Sequence, residues 1–311
     1  YLALVGDAEL DEGNVWEAVT EELLRDVGNL IWIVDLNRQS LDRVVPGIRA
    51  RQLKALFRDS ELHVLEAKYG RRLQAVFAGP GGEALRQRID DMSNEEYQAA
   101  IRLPGAICRE RFIVGADDPA GVARALSPFA DEEVPALVSD LGGHDLAELL
   151  RVLQEAAAVT DRPSVIFAYT IKGWGLPIAG HPLNHSALLT AKQMEELAER
   201  LGIPPEDEWA TFPEGSLEAA LCRRAAERLR EPARQAPAPP LQPAQIPATV
   251  GHTPLAVTST QETLGRLLVE LARQPEIGER IVTVAPDVAV STNLGGWINR
   301  VGVFSANAAD S

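Results

Sequence analysis

Tyr1-Leu-Ala-Leu-Val-Gly-Asp-Ala-Glu9 and Leu30-Ile-Trp-Ile-Val-Asp-Leu-Asn37 are the two stretches whose reading decides the fold. Each opens with five apolar residues, unbroken by charge, and runs into an aspartate. Between them Val15, Val19, Leu23 and Val27 recur every four residues, with Trp16 beside them, which predicts a helix with one buried stripe. A strand with one wet face alternates apolar and polar residues, whereas a strand apolar throughout is covered on both faces. Working outward, Gln52–Phe57 reads as helix and Leu62–Ala67 as a third strand. Asp145–Ala158 reads as a helix striped by Leu146, Leu149, Leu150 and Leu153, and Val165–Ala168 as another apolar strand. Strands alternating with helices predict an α/β fold, a mostly parallel sheet with helices on both faces.

Residues 80–145 are less regular, with Pro, Gly and short helical patches, and read as an insertion on that scaffold. After a helix at Leu217–Leu229, the stretch Glu231–Pro254 holds seven of the 21 prolines, as a semi-rigid linker would. A helix at Thr260–Arg273 and a strand at Ile281–Ala285 then predict the start of a second α/β domain near 255. The expected organisation is 1–230, a linker at 231–254, and 255–311. A chain that begins inside a strand without Met and stops at Ser311 is expected to be a piece of a longer one.

With 46% apolar and 24% charged residues, the composition is that of a globular chain and excludes wholesale disorder. Thirty basic against 45 acidic residues give a net charge of −15, which argues against nucleic acid or an anionic membrane as partner. No apolar run approaches the roughly 20 residues that span a bilayer. Two cysteines, Cys108 and Cys222, make no disulfide framework, and a reducing cytoplasm is the expected compartment.

Ligands of open α/β sheets bind outside the carboxyl ends of the strands. Asp7 follows the first strand and Asn37 the second, so if these strands are neighbours the two residues share one rim. A carboxylate, an amide oxygen and a backbone carbonyl are hard ligands that suit Mg²⁺ or Ca²⁺ together with phosphate oxygens. The following helix N-terminus, expected near Asn14, would favour the phosphate. Gly6-Asp7 is also a common turn, and Asn37 also suits a loop cap.

The thirty-residue step from Asp7 to Asn37 resembles the signature of thiamine-diphosphate enzymes: Gly-Asp-Gly, about thirty residues, then Asn. Five ordered stretches narrow the resemblance. Gly6–Glu12, Asn37–Asp42, Gly142-Gly-His-Asp145, Thr170-Ile-Lys-Gly-Trp-Gly175 and Thr211–Ser216 are similar to the homodimeric pyruvate dehydrogenase component that decarboxylates pyruvate, a family related to transketolase. The resemblance implies a transketolase-like thiamine-diphosphate-binding fold, with 1–230 as the diphosphate-binding domain and 255–311 as the start of the pyrimidine-binding domain. It implies thiamine diphosphate and Mg²⁺ as cofactors, with the metal held by the side chains of Asp7 and Asn37 and the carbonyl of Gln39. Gly6, Ala8 and Glu9 would line the diphosphate side, Glu12 would join an acidic network nearby, and Lys172 would approach the diphosphate. His185 would act at the active-site mouth, within a mobile lid at Leu176–Leu188. Asp287 would open the second domain's part of the cleft. Ala8 departs from Gly-Asp-Gly: it is strained if φ is positive there and harmless if not.

The implied reaction is decarboxylation of a small 2-oxo acid, pyruvate first, with acetyl transfer to a lipoyl domain, by a homodimer. The resemblance also places a catalytic glutamate beyond Ser311 and substrate-handling histidines upstream, so the piece alone is expected to be inactive. Two other readings are a transketolase-type ketol transferase, which Glu12–Ala18 resembles, and a non-catalytic paralogue. Lys172 also reads as a solvated loop lysine. His181 and His185 do not make a zinc pair, since Pro182 disfavours a helix and no third ligand is near. Gly79-Pro-Gly-Gly82 lacks dinucleotide-binding spacing and reads as a turn, and His144 as a helix-start residue. Cys222, at a helical core spacing, and Cys108 read as inert.

Overall fold

The apolar runs become strands wherever a neighbouring run can pair with them. A computed structural model describes the chain except residues 38, 41–42, 45–46, 182–183, 185, 205, 208, 231–238, 251–256, 285–288, 290 and 304–311, with backbone alone at 39–40, 43–44 and 47–49. Two compact units result, Tyr1–Glu208 and Trp209–Ser311. The first contains β1 (Leu2–Gly6), α1 (Gly13–Val19), β2 (Ile31–Leu36), β3 (Gln39–Ser40), β4 (Arg43–Val44), α2 (Gly47–Asp59), β5 (His63–Ala67) and α3 (Arg71–Phe77). It continues through α4 (Gly82–Asp91), α5 (Asn94–Ala100), α6 (Gly105–Val114), α7 (Pro119–Leu126), α8 (Val134–Val138), α9 (Leu146–Ala158), β6 (Ser164–Tyr169) and α10 (Ala191–Leu201).

β1, β2, β6 and β5 form a parallel sheet in that order, with Gly6 beside Asp35, Asp35 beside Ala168, and Ala168 beside Ala67. Every residue of β6 is buried, as its unbroken apolar run predicts for a strand covered on both faces. One face, with Val5, Val34, Val165 and Phe167, carries the main core together with Phe57, Leu73, Leu85, Phe112 and Leu137 from the helices. On the other face, Val152 and Ala156 of α9 pack on Leu65, Ala67 and Ile166. The α/β architecture with helices on both faces is as the sequence predicts.

Several expectations need correction. The helix striped by Val15–Val27 stops at Val19, and Glu21 turns back to cap a 3₁₀ turn at Glu22–Leu24. Residues 80–145, read as irregular with short helical patches, form α4–α8 between β5 and β6 and supply Leu85, Ile89, Phe112, Val122 and Leu137 to the main core. Short amphipathic helices are hard to place singly, because what they pack on lies elsewhere in the sequence. On α9, Leu146 and Leu150 are exposed, because the inward face is set by Val152 and Ala156. The second unit contains α11 (Leu217–Leu229), α12 (Thr260–Leu271), α13 (Pro275–Gly278) and α14 (Gly295–Val301). The strand expected at Ile281–Ala285 is absent over 281–284, where Val282 and Val284 are exposed; among the described residues no strand lies beside it to satisfy its backbone.

Asp145 joins the two faces. Its carboxylate caps α9 through the amides of Ala147 (2.9 Å) and Glu148 (3.3 Å). It also accepts from the Arg71 amide at 2.8 Å and the Arg71 Nε at 3.0 Å. Burial alone would raise its pKa, but the bonds from Arg71, Glu148 and Ala147 outweigh that and hold it at about 2. A carboxylate below its usual 3.8 adds stability that is present above that value and is lost as pH falls toward 2. Asp145→Ala is therefore expected to cost about 1–2 kcal/mol at neutral pH, with Arg71 too exposed to add much. Urea midpoints of wild type and variant should separate at pH 6 and draw together near pH 2; equal midpoints at pH 6 would show that the cap contributes nothing.

Candidate functional site at the carboxyl rim

Because all four strands of the sheet run the same way, their carboxyl ends present Asp7, Asn37, Thr170 and Lys68 along one rim, with adjacent strands about 4.8 Å apart. Asp7 is buried, 5% exposed, and its amide donates to the Asp35 carbonyl at 3.1 Å, which carries the β1–β2 pairing one residue past Gly6. Asn37 is half-buried at the end of β2. The loop after Asp7 is anchored by Leu10, 2% exposed in the core, and by the Trp16 indole, which donates to the Leu10 carbonyl at 2.8 Å. Trp16 packs on Phe57, and Phe57 edge-on against Phe167 of β6. An aromatic chain thus ties the Asp7 loop to the middle of the sheet.

The rim offers one buried carboxylate at Asp7, one half-buried amide side chain at Asn37 and, further along the chain, the backbone of Gln39, which opens β3 opposite Val44. Among the described residues no group of three His, Cys, Asp or Glu side chains could hold a metal. A set this poor in charge but made of hard oxygens fits Mg²⁺ that arrives with a diphosphate, whose oxygens and water fill the remaining positions. Ala8 has φ −72° and ψ −28°, ordinary right-handed values, so alanine carries no strain there. The Gly6 amide donates to the Glu9 carboxylate at 2.5 Å, so the two residues assigned to the diphosphate side are bonded to each other. A 3₁₀ turn at Glu9–Asp11 lies between Asp7 and α1, which starts at Gly13 behind an exposed Glu12, one residue from the start expected near Asn14.

Beyond β6, Thr170 fastens the next turn to β2: its hydroxyl donates to the Asp35 carboxylate and its amide to the Leu36 carbonyl at 3.2 Å. Lys172 is half-buried in this turn, and its carbonyl accepts from the Gly180 amide at 3.0 Å and from Asn184 Nδ2 at 2.9 Å. Gly173 has φ +73°, which lets the chain reverse immediately after the lysine. Sequence reasoning missed the Asp35–Thr170 pair and Lys68. The Lys68 ammonium lies 5.0 Å from the Tyr69 ring centre and bonds Asp90 at 2.6 Å. A charged residue directly after a strand was the available signal. His185 and Asp287, with part of the expected lid, lie outside the described residues. Cys108 is buried, and burial raises its thiol to about 11 against the opposing Arg109 charge, so it is inert. Cys222 is exposed rather than in a core.

Residues 135–227 match the profile described as "Transketolase, thiamine diphosphate binding domain". The pyruvate dehydrogenase E1 component of Pseudomonas aeruginosa is 29% identical over 97% of this chain and 35% of its own length. That of Corynebacterium glutamicum is 28% identical over 97% of this chain and 34% of its own, and that of Escherichia coli (strain K12) 24% over 98% and 36%. Transketolase from Pichia stipitis, solved in complex with sedoheptulose-7-phosphate, is 18% identical over 74% of this chain and 23% of that one. The TM-score of that likeness is 0.40. The chain spans about a third of the length of the curated relatives it matches. Along nearly all of its own length, the chain is similar to pyruvate dehydrogenase E1 components, and within it residues 135–227 match the thiamine diphosphate binding domain of transketolase.

Proposed function

We propose that this chain supplies the metal- and diphosphate-binding half of a thiamine-diphosphate-dependent enzyme that decarboxylates pyruvate and passes the acetyl group to a lipoyl domain. The observation that carries the reading is the buried Asp7 carboxylate at the end of β1, one strand from Asn37 at the end of β2. Likeness to the E1 components supports the choice of pyruvate. Asp7, Asn37 and the Gln39 carbonyl would hold Mg²⁺, and the Lys172 ammonium would neutralise diphosphate charge. Bound thiamine diphosphate would supply the nucleophilic carbon that adds to the 2-oxo acid and lets carbon dioxide leave. The chain's own part is to bind and orient, with Asp7 placed by its bond to Asp35 and the lysine turn by Thr170. His185 is assigned to the mouth of the site. A homodimer, a lipoyl-domain partner and a cytoplasmic location belong to the same proposal; among the described residues no helix is long and apolar enough to cross a membrane. So does a domain division with a linker at 231–254, which limited proteolysis would cut first; cleavage confined to the neighbourhood of 208 would move the boundary.

A ketol transferase is the second reading, favoured by the transketolase profile match over 135–227. In the polypeptide that carries this chain, pyruvate- and lipoamide-dependent reductive acetylation is the expected activity; ketol transfer between sugar phosphates with no response to pyruvate would overturn it. At the site, calorimetry with thiamine diphosphate and Mg²⁺ should lose all metal-dependent heat in Asp7→Ala and show about tenfold weaker binding in Asn37→Ala. Unchanged affinity in both would refute the metal assignment, and no heat from the wild-type protein would favour a non-catalytic paralogue. Ala8→Gly should not improve affinity and should cost up to about 1 kcal/mol of stability, because φ is ordinary there.

A further inference from the structure

We propose that His144, as a neutral imidazole, is the positioning residue that latches the lysine turn onto the rim, so that the placement of Lys172 depends on His144 staying unprotonated. Gly142 and Gly143 bring it there. A Cβ on Gly142 would fall 2.4 Å from the Ala67 backbone, and one on Gly143 2.5 Å from the Thr170 side chain. This 3₁₀ turn, Gly142–His144, therefore lies flush against the ends of β5 and β6 and delivers the imidazole to the first residues after β6.

His144 Nε2 accepts from the Ile171 amide at 2.8 Å. Its ring stacks on Trp174, with centroids 4.6 Å apart and planes 13° from parallel. One side chain thus grips the turn on both sides of Lys172, by the backbone of Ile171 before it and the indole of Trp174 after it. A proton on Nε2 would meet the Ile171 N–H head on, so the bond exists only with the neutral ring. Burial lowers the pKa of His144 from its ordinary 6.5, while the carboxylates of Asp35 and Asp140 pull it back up. His144 also borders an open cleft of about 590 Å³ shared with Arg71, Arg72, Asp140 and Asp145, through which a proton can reach it. The charges around it are thus Asp35 at the end of β2, Asp140 after α8, Asp145 at the start of α9, Arg71 and Arg72 on α3, and Lys172 in the turn itself. A base whose folded pKa is depressed contributes its stability above the ordinary 6.5, and that contribution is lost as pH falls below it.

The latch rests on the Ile171–His144 bond and the stack on Trp174, and its pH dependence on the proton that Nε2 would take up; its bearing on the diphosphate rests on the function proposed above. Hydrogen–deuterium exchange of the peptide covering 170–181, corrected for the intrinsic pH dependence, reads the latch directly. Wild-type protection should fall about tenfold between pH 7.5 and pH 5. In His144→Gln, whose amide oxygen can accept from Ile171 without titrating, protection should be equal at both pH values. In His144→Ala it should be low at both, with β6 unchanged in all three proteins. Wild-type protection that is the same at both pH values, or His144→Ala matching wild type at pH 7.5, would overturn the proposal. Titration with thiamine diphosphate and Mg²⁺ at pH 7.5 and at pH 5 then separates the two claims, the comparison at pH 5 testing the link between latch and cofactor. Tighter binding by His144→Gln than by wild type is the expected result, and equal binding by the two would break the link between latch and cofactor. Absence of binding in every variant at both pH values would refute the cofactor reading and leave the exchange result to decide the latch.

Discussion

Parallel pairing of β1 with β2, with Gly6 beside Asp35, is the constraint from which the candidate site follows. A parallel sheet puts the ends of all its strands on one side, so a residue placed just past a strand is brought to a common edge whatever its distance in sequence. Asp7 and Asn37 meet on that edge because β1 and β2 are adjacent, and Thr170 and Lys172 join them because β6 is the next strand. The amide of Asp7 and the hydroxyl of Thr170 both end on Asp35, so a single residue at the end of β2 ties the neighbouring strand ends together.

The helices serve that edge. α4–α8 build a thick apolar layer under one face, and α9 closes part of the other through Val152 and Ala156. Asp145 fixes the start of α9 and holds Arg71 at the start of α3, while the adjacent His144 reaches the Ile171 amide. One short sequence, Gly142-Gly-His-Asp145, therefore connects the helical layers to the turn that carries Lys172.

The sheet was legible because its signals are local. An unbroken apolar run such as Val165–Ala168 reports burial on both faces, and the Asp7–Asn37 spacing reports two strands joined by a helical connection. What was not legible depends on partners distant in sequence. Leu146 and Leu150 share the spacing of buried positions, yet they are exposed because the sheet lies under Val152 and Ala156. Ile281–Val284 has the composition of a strand, but composition supplies no neighbour to pair with. Ala8 could not be judged until its φ was known, since one residue fits both a harmless and a strained reading. His144 looked like a helix-start residue; its bond to Ile171 crosses 27 positions, and no periodicity encodes such a contact. Residues 80–145 were legible only as short helical patches: α4 and α7 bury one stripe each, at Leu85 and Ile89 and at Val122 and Leu126, but what those stripes pack on lies elsewhere in the sequence.

Proposed above all is that Asp7 and Asn37 form one metal site at the ends of adjacent parallel strands. A crystal of the protein soaked with thiamine diphosphate and Mn²⁺, with the metal located by its anomalous scattering, tests it most directly. A single peak is expected, bonded to the Asp7 carboxylate and the Asn37 side-chain oxygen, with diphosphate oxygens completing the shell. A peak elsewhere on the chain, or a diphosphate held without a metal at Asp7, would contradict it.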